Sequence, residues 1–341
     1  MKKTIKINFT GMPKVLSIKD MLVYRILDEK YDVQISTSPD YLFFGVNDMY
    51  DFCNFNGVRI FYAFECFFPD LNVTDYGLTF TDVKSGDRFH RFYSALQSDY
   101  IFSLQNRVVY NEEFIKSKTG FCNFIYSNGG MPARKKIFET VSKYKSVDSA
   151  GKFLNNMDGF TPGDRRSIAA SFSNNQKIEF QKKYKFSIAC ENYSYDYYNS
   201  EKITDAFYSG TIPIYFGDPK IAEIYNEKAF INCLKYSSFD EILSVIEEID
   251  NNDELFLKML NEPVYNDCNY VKKQYEGLKE FLFHIFDQPI KKAFRRPIVS
   301  WPLIQEKRLI DETRYRKSLW YRINKKKDRL LDKFGFIVKH R

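Results

Sequence analysis

The 341-residue sequence predicts two α/β domains built on parallel sheets, followed by a basic tail. Three observations carry that reading. Residues 1–110 alternate short apolar strands with helical or loop stretches, the pattern of a parallel sheet with helices between its strands. Residues 184–217 read as strand, polar loop, helix, strand. Residues 291–341 hold 17 Lys and Arg against 5 Asp and Glu, whereas the preceding residues hold 34 against 39. The formal net charge of +7 is thus a mildly acidic body joined to a strongly basic end. The expected division is 1–115, 116–285 and a tail at 286–341.

In the first domain, Lys3 to Phe9, Asp32 to Ser36, Tyr41 to Gly45 and Val58 to Phe64 are strands, and Lys19 to Lys30 is a helix. Residues 111–119 are a polar link. Phe121 to Tyr126 then opens a second set of strands. Arg134 to Lys143 is a helix, and Asp148 to Gly163, rich in Asn, Gly and Asp, is a loop. Asp240 to Ile249 is a further helix. No internal repeat or low-complexity segment occurs.

The segment at 184–217 is the most informative. Tyr184 to Cys190 is an apolar run suited to a strand buried on both faces. Glu191 and Asn192 end it. Ser200 occupies an N-cap position before Glu201, Lys202 and the apolar Ile203, Ala206 and Phe207. Gly210 stops the helix, and Thr211 to Phe216 is the next strand. Such a unit presents a helix N-terminus at a crevice, and Lys202 adds positive charge there, a place for a phosphorylated ligand.

Two further candidates follow from local chemistry. Glu65 lies after an apolar strand and among aromatic residues, in Phe61-Tyr-Ala-Phe-Glu-Cys-Phe-Phe-Pro-Asp70; desolvation there would make it a better base. A strand-end carboxylate open to water is the alternative. Arg134 follows the small-residue turn Ser127-Asn-Gly-Gly-Met-Pro132, where backbone can approach a ligand and a guanidinium fork suits a diphosphate. With Lys135 and Lys136 beside it, a solvated basic face is the alternative.

No apolar run reaches the roughly 20 residues that span a bilayer. The N-terminus, with two lysines and no long apolar stretch after them, is expected to be a first strand rather than a signal peptide. A cytoplasmic chain follows as the expectation. The six cysteines form no C-x-x-C pair, which fits buried free thiols in a reducing compartment. Three scattered histidines argue against a His-based metal site.

In order along the chain, Tyr184-Lys185-Phe186, Glu191-Asn192, Tyr198, Glu201-Lys202, Asp205-Ala206-Phe207 and Ile212-Pro213-Ile214-Tyr215-x-Gly217 closely resemble the donor-binding motif of the α-1,3-fucosyltransferase family, glycosyltransferase family 10, of bacterial type. The resemblance implies a GT-B fold: two Rossmann-like domains facing a cleft, the first taking the acceptor and the second the nucleotide sugar. It implies inverting transfer of L-fucose from GDP-β-L-fucose to a hydroxyl of an N-acetylglucosamine-containing glycan, through an α-1,3 or α-1,4 linkage. Glu65 matches the family's general base, with Cys66 standing where the family has Asn. Arg134 and Lys202 match diphosphate contacts, Glu201 a ribose contact, and Asn192 and Tyr198 further donor contacts. Glu191 either faces the donor or supports the loop. Asp75, Asp87 and Arg88 lie in a second matching block and are candidates for the acceptor, with scaffold ion pairs the stronger reading. No metal or other cofactor is required, because side chains can supply the cations. The rivals are a GT-B enzyme using another nucleotide sugar and a non-catalytic protein of the membrane surface.

The tail mixes Trp301, Tyr315, Trp320, Tyr321, Phe334 and Phe336 with its basic residues. Leu319, Ile323, Leu330, Phe334 and Ile337 fall on one helical stripe. This reads as a peripheral anchor on the inner face of a membrane, near lipid-linked glycans; a helix packed on the body is the alternative. No fold for binding nucleic acid is recognised. A chain ending near Lys291 is expected to be more soluble and still active.

Overall fold

The computed structural model describes residues 2–13, 17–48, 50–106, 108–157, 175–318, 321 and 323. Two parallel sheets form the frame. The first has six strands in the order β2-β1-β3-β4-β5-β6, from β1 (Thr4–Thr10), β2 (Asp32–Ile35), β3 (Tyr41–Phe44), β4 (Val58–Tyr62), β5 (Tyr76–Thr79) and β6 (Phe89–Arg91). The second has five in the order β11-β10-β9-β7-β8, from β7 (Gly120–Phe124), β8 (Val147–Ser149), β9 (Tyr184–Cys190), β10 (Ile212–Phe216) and β11 (Ile231–Asn232). Every pairing within both sheets is parallel. The central strands β3, β4, β5 and β10 are buried on both faces, as in a parallel sheet covered on both sides.

The helices are α1 (Leu22–Lys30), α2 (Glu112–Lys116), α3 (Pro132–Val141), α4 (Asn175–Gln181), α5 (Glu201–Tyr208), α6 (Phe239–Asp250), α7 (Asp253–Leu260), α8 (Tyr270–Asp287), α9 (Ile290–Ala293) and α10 (Ser300–Lys317). In α1 the apolar stripe Leu22, Val23, Ile26 and Leu27 is buried. Pro132 starts α3, where its missing N–H costs nothing. The link at 111–119 contains the short helix α2, capped by Asn111, whose side chain accepts from the Phe114 N–H.

Two features depart from the sequence reading. The first concerns α8, expected in the second domain. It packs on the first sheet instead. Phe286 lies 4.3 Å from the Tyr41 ring and 6.2 Å from that of Phe43, and Phe283 meets Tyr31 edge-on at 5.8 Å. Tyr31 OH donates to Asp287 at 2.8 Å. Leu278, Leu282, Ile285 and Phe286 are fully buried, each burial worth ~1.5–3 kcal/mol.

The second concerns the tail, whose first part belongs to the body. Pro302, Glu306, Leu309, Ile310 and Thr313 recur at helical spacing along the inner face of α10. Leu309 and Ile310 close a cluster with Phe44, Phe52, Phe61 and Val73. Glu306 pairs at 2.7 Å with the fully buried Arg59. Removing everything after Lys291 would strip these contacts, which argues against the gain expected from that truncation. Leu319, Leu330, Phe334 and Ile337 of the proposed stripe lie outside the described residues; Ile323 is exposed. No helix is long and apolar enough to cross a membrane among the described residues.

Candidate active site

Strand ends place the site. In a parallel sheet, ligands gather beyond the carboxyl ends of the strands. Glu65 follows β4 in the first sheet, and residues 191–200 follow β9 in the second. The two meet: Asn192 Nδ2 donates to Glu65 Oε2 at 3.0 Å, and Tyr198 OH donates to the same oxygen at 3.2 Å. Among the described residues, Glu65 Oε1 has no hydrogen-bond partner. Glu65 is exposed, not desolvated by its aromatic neighbours, because Phe67 and Phe68 turn outward. Tyr198 is buried, and burial followed by the nearby Glu191 pushes its hydroxyl pKa far up, so it stays a donor.

Arg134 lies in the first turn of α3 and is 1% exposed. Its guanidinium makes five hydrogen bonds: two to Cys190 O, two to the carbonyl and side-chain oxygens of Asn128, and one at 2.5 Å to Asn192 Oδ1. The Tyr126 ring lies 4.4 Å below it. All these acceptors are neutral. Among the described residues no carboxylate pairs with Arg134, although buried charges are ordinarily paired. A buried guanidinium in this state is suited to an anion. An anion reaching it directly would have to displace Asn128 or Asn192, so the fork is not free as the sequence suggested.

Because Arg134 can only donate, Asn192 must turn its oxygen to Arg134 and its nitrogen to Glu65. The amide therefore joins the cation of one domain to the carboxylate of the other.

Glu191 is fully buried and does not face the cleft. Its Oε1 accepts from the Ser200 N–H at 2.8 Å, and its Oε2 accepts from Ser200 Oγ at 2.7 Å and from Lys202 Nζ at 3.2 Å. Of the two roles considered, support of the loop is the one its geometry serves. Ser200 stands at the N-cap of α5 but spends its hydroxyl on Glu191 rather than on a helix N–H. Gly217 lets this carboxylate in; a Cβ there would lie 2.5 Å from Glu191 Cγ.

Lys202 also donates to Ser200 Oγ at 2.9 Å and lies 3.6 Å from Glu201. Desolvation opposes its charge, yet Glu191 and Glu201 hold its pKa well above the usual lysine value. Its charge is thus already matched, and the uncompensated cation is Arg134. Burial works against the Glu201 carboxylate, but Lys202 and Lys177 bring it down to about 2.

Asp75, Asp87 and Arg88 are not at the cleft. They precede β5 and β6, at the amino ends of the strands and so opposite the edge that bears Glu65. Asp75 is fully buried; it accepts from the backbone N–H groups of Arg59, Arg295 and Arg296 and pairs with the Arg296 guanidinium. Asp87 pairs with Arg295 at 2.6 Å and His284 at 2.8 Å. Arg88 donates to the backbone carbonyls of Leu71, Thr74 and Asp75. Asp75 and Asp87 thus sit in scaffold ion pairs, and Arg88 is held by backbone carbonyls.

The sequence reading missed Asn128, Tyr126 and Asp218. Tyr126 OH accepts from the Cys190 N–H and donates to Ile188 O, bracing the end of β9. Asp218 is fully buried and accepts from the Tyr197 N–H, Asn199 Nδ2 and the Lys220 N–H, shaping the loop before α5. Its place right after the Gly217 turn was a usable signal.

Against this geometry the comparisons are unambiguous in family. The profile "Glycosyltransferase family 10 (fucosyltransferase) C-term" matches residues 115–267, and "Alpha-(1,3)-fucosyltransferase FucT N-terminal domain" matches residues 7–102. The chain belongs to glycosyltransferase family 10. It is 25% identical over 308 residues to Alpha-(1,3)-fucosyltransferase FucT of Helicobacter pylori, covering 80% of this chain and 62% of that one. It is 32% identical over 234 residues to R654 of Acanthamoeba polyphaga mimivirus, whose name places it provisionally among fucosyltransferases, covering 66% of this chain and 38% of that one. The chain thus spans less than two thirds of the length of either relative. A crystal structure of an alpha1,3-fucosyltransferase with GDP-fucose superposes with a TM-score of 0.64 at 23% identity, covering 83% of this chain and 91% of that one. That likeness establishes the GT-B fold, with its two parallel-sheet domains.

Proposed function

We propose that this family 10 chain is an inverting fucosyltransferase that uses GDP-β-L-fucose and an N-acetylglucosamine-containing glycan. The observation that carries the reading is the Arg134–Asn192–Glu65 link. It joins a buried, uncompensated cation to an exposed carboxylate across the cleft.

The diphosphate lies toward Arg134, taking over acceptor positions held by Asn128 or Asn192, with Lys202 and the start of α5 beside it. Glu201 faces the ribose, as the family resemblance implies. The acceptor hydroxyl approaches Glu65 Oε1. Its oxygen attacks the anomeric carbon from the face opposite the diphosphate, its proton passes to Glu65, and the bond to the phosphate oxygen breaks with the electron pair leaving on GDP. Inversion follows from that geometry. Developing negative charge on the leaving group is stabilised by Arg134. Linkage to position 3 or 4 and the glycan's identity depend on how the acceptor ring is held.

A peripheral membrane site on the cytoplasmic face is a second part of the reading. Its support is the exposed group Ile298, Val299, Trp301, Leu303 and Ile304 at the start of α10, followed by basic residues.

The deciding experiment measures GDP release from GDP-fucose and from other nucleotide sugars, with and without N-acetylglucosamine-containing acceptors. Preference for another donor, or the absence of acceptor-dependent release, rejects the reading.

A further inference from the structure

Arg91 closes β6 at its carboxyl end, the edge of the first sheet that also carries Glu65 after β4. Its guanidinium lies over the Tyr197 ring of the second domain, 4.6 Å from the centroid. Its ion-pair partner Asp82 stands 3.8 Å away and is 63% exposed, a pairing that water screens. The contact that joins Arg91 to the other domain is therefore the ring.

Tyr197 has an uncommon backbone. Its φ is +66°, in the left-handed region, where a large side chain is strained. Among the described residues other than glycine, only Tyr50 and Leu154 share it. Such strain persists where the surroundings over-determine it, and it gathers at functional sites. The Tyr197 N–H donates to Asp218 Oδ1 at 2.7 Å, its carbonyl accepts from the Asn199 N–H at 3.1 Å, and its hydroxyl donates to Glu223 at 2.9 Å. These partners belong to the second domain; Arg91 adds the hold of the first. Glycine would adopt the turn freely, but it would offer Arg91 no ring.

The turn has a direct product. In an extended segment, neighbouring side chains point to opposite sides. The left-handed turn lets two consecutive residues reach the first domain: Tyr197 presents its ring to Arg91, and Tyr198 donates its hydroxyl to Glu65 at 3.2 Å. Adjacent residues of one loop thereby grip the ends of β6 and β4. The attraction of a cation for a ring is comparable in size with the strain of a left-handed residue, so loss of Arg91 is enough to let the turn shift.

We propose that Arg91 is a positioning residue for transfer: through Tyr197 it holds the turn that aims the Tyr198 hydroxyl at Glu65. The proposal rests on the fucosyl-transfer reading and adds a residue to it. Tyr198 donates to Glu65 Oε2, which keeps Oε1 turned toward the acceptor. Arg91 acts through the loop and takes no part in the bonds made or broken.

The test uses the full chain with GDP-fucose and an N-acetylglucosamine-containing acceptor. Arg91→Ala should lower kcat roughly tenfold, about 1.4 kcal/mol, and leave the KM for GDP-fucose near the wild-type value. Arg91→Lys keeps a cation over the ring and should restore most of the rate. Arg91→Met keeps the length without the charge and should not. In a Tyr198→Phe background Arg91→Ala should lower kcat no further, because the hydroxyl it aims is gone. An unchanged kcat in Arg91→Ala, a loss that adds in full to that of Tyr198→Phe, or a rescue by methionine as good as by lysine overturns the proposal.

Carbon-13 NMR of the tyrosine Cζ atoms reads the same link without turnover. The Tyr198 signal is the one lost in Tyr198→Phe, and Glu65→Ala should move it by removing the acceptor. Arg91→Ala should move it in the same direction and Arg91→Lys should not, with the tyrosine signals away from the loop in place as the mark of a folded variant. If no nucleotide sugar is turned over but the signal moves as expected, the positioning stands and the fucosyl-transfer reading fails. If donor is turned over and the signal stays put in Arg91→Ala, the positioning fails alone.

Discussion

Asn192 binds Arg134 through its oxygen and Glu65 through its nitrogen, at 2.5 and 3.0 Å, so one amide spans the two halves of the cleft. The amide leaves Oε1 as the free oxygen of Glu65 among the described residues. It also makes the posture of the base depend on the cation that the diphosphate is proposed to meet. Asn192→Ala should therefore lower kcat by about ten- to a hundredfold, as loss of a group that aligns reacting atoms does. Asn192→Leu, of similar size but without hydrogen bonds, should not restore it. Steady-state kinetics on both variants check this, and an unchanged kcat in both removes the aligning role.

Glu65→Ala should reduce transfer by roughly 10²–10⁴-fold, the usual worth of a placed base. GDP should bind as before, because among the described residues Glu65 hydrogen-bonds to the second domain only through Asn192 and Tyr198. Calorimetric titration of GDP separates the two effects. A variant that retains the wild-type rate removes Glu65 from the mechanism.

Glu191 and Lys202 should fail differently. Lys202→Ala should weaken GDP binding and also cost stability, because it leaves the fully buried Glu191 carboxylate without its cation. Glu191→Ala leaves the buried Lys202 without its closest carboxylate and should cost about 3–5 kcal/mol of stability, seen as a lower unfolding temperature before any ligand is added. Since Lys202 is held charged well above the usual lysine pKa, its share of GDP affinity should persist from pH 8 to pH 10. A fall in affinity across that range would show that its charge is not so protected.

Acid stability follows from Asp87. Arg295 chiefly, then His284, lowers its pKa far below the usual carboxylate value. A depressed folded-state pKa gives stability that is present above the unfolded value and lost as pH falls through the folded one. Stability should thus decline progressively below about pH 4. Asp87→Asn should be less stable at pH 7 and show a shallower loss from pH 4 to pH 2. Chemical denaturation at several pH values reads both slopes; parallel curves refute the contribution.

A chain stopped at Ser318 keeps the α10 contacts of Leu309, Ile310 and Glu306. One stopped at Lys291 should aggregate or unfold early, because it exposes the Phe44–Phe52–Phe61 cluster and leaves Arg59 and Asp75 buried without Glu306 and Arg296. Breaking such a buried pair costs ~3–5 kcal/mol. The Ser318 chain also tests the membrane reading. Binding to anionic vesicles that survives this truncation places contact on the start of α10, binding that vanishes places it beyond Ser318, and a full chain that ignores vesicles ends the idea.

Much of the second domain was legible in the sequence. Tyr184–Cys190 is the strand as read, and Gly210 ends α5 with φ +61°, a conformation that glycine adopts without strain. These are local signals: an apolar run, a turn residue, a spacing. What stayed hidden was set by distant partners. Nothing near Glu191 in the chain says that it turns inward to Ser200, and nothing near Asp75 says that Arg295 and Arg296 return to it from 220 residues away. Strands β5 and β6 were not read as strands, because Tyr76–Thr79 and Phe89–Arg91 are short and interrupted by polar residues; Asp75, Asp87 and Arg88 beside them entered as acceptor candidates through the family resemblance alone. Most of α8 fell inside the expected second domain only through the placing of the boundary at 285, and its packing against Tyr41 and Phe43 is what assigns it to the first sheet.

That packing of α8 sets an order of assembly on the ribosome. The first sheet comes out early, yet Leu278, Leu282 and Phe286, which finish its core, are made after the whole second sheet. The nascent amino-terminal half must therefore wait, incomplete and apolar, while the later half matures beside it.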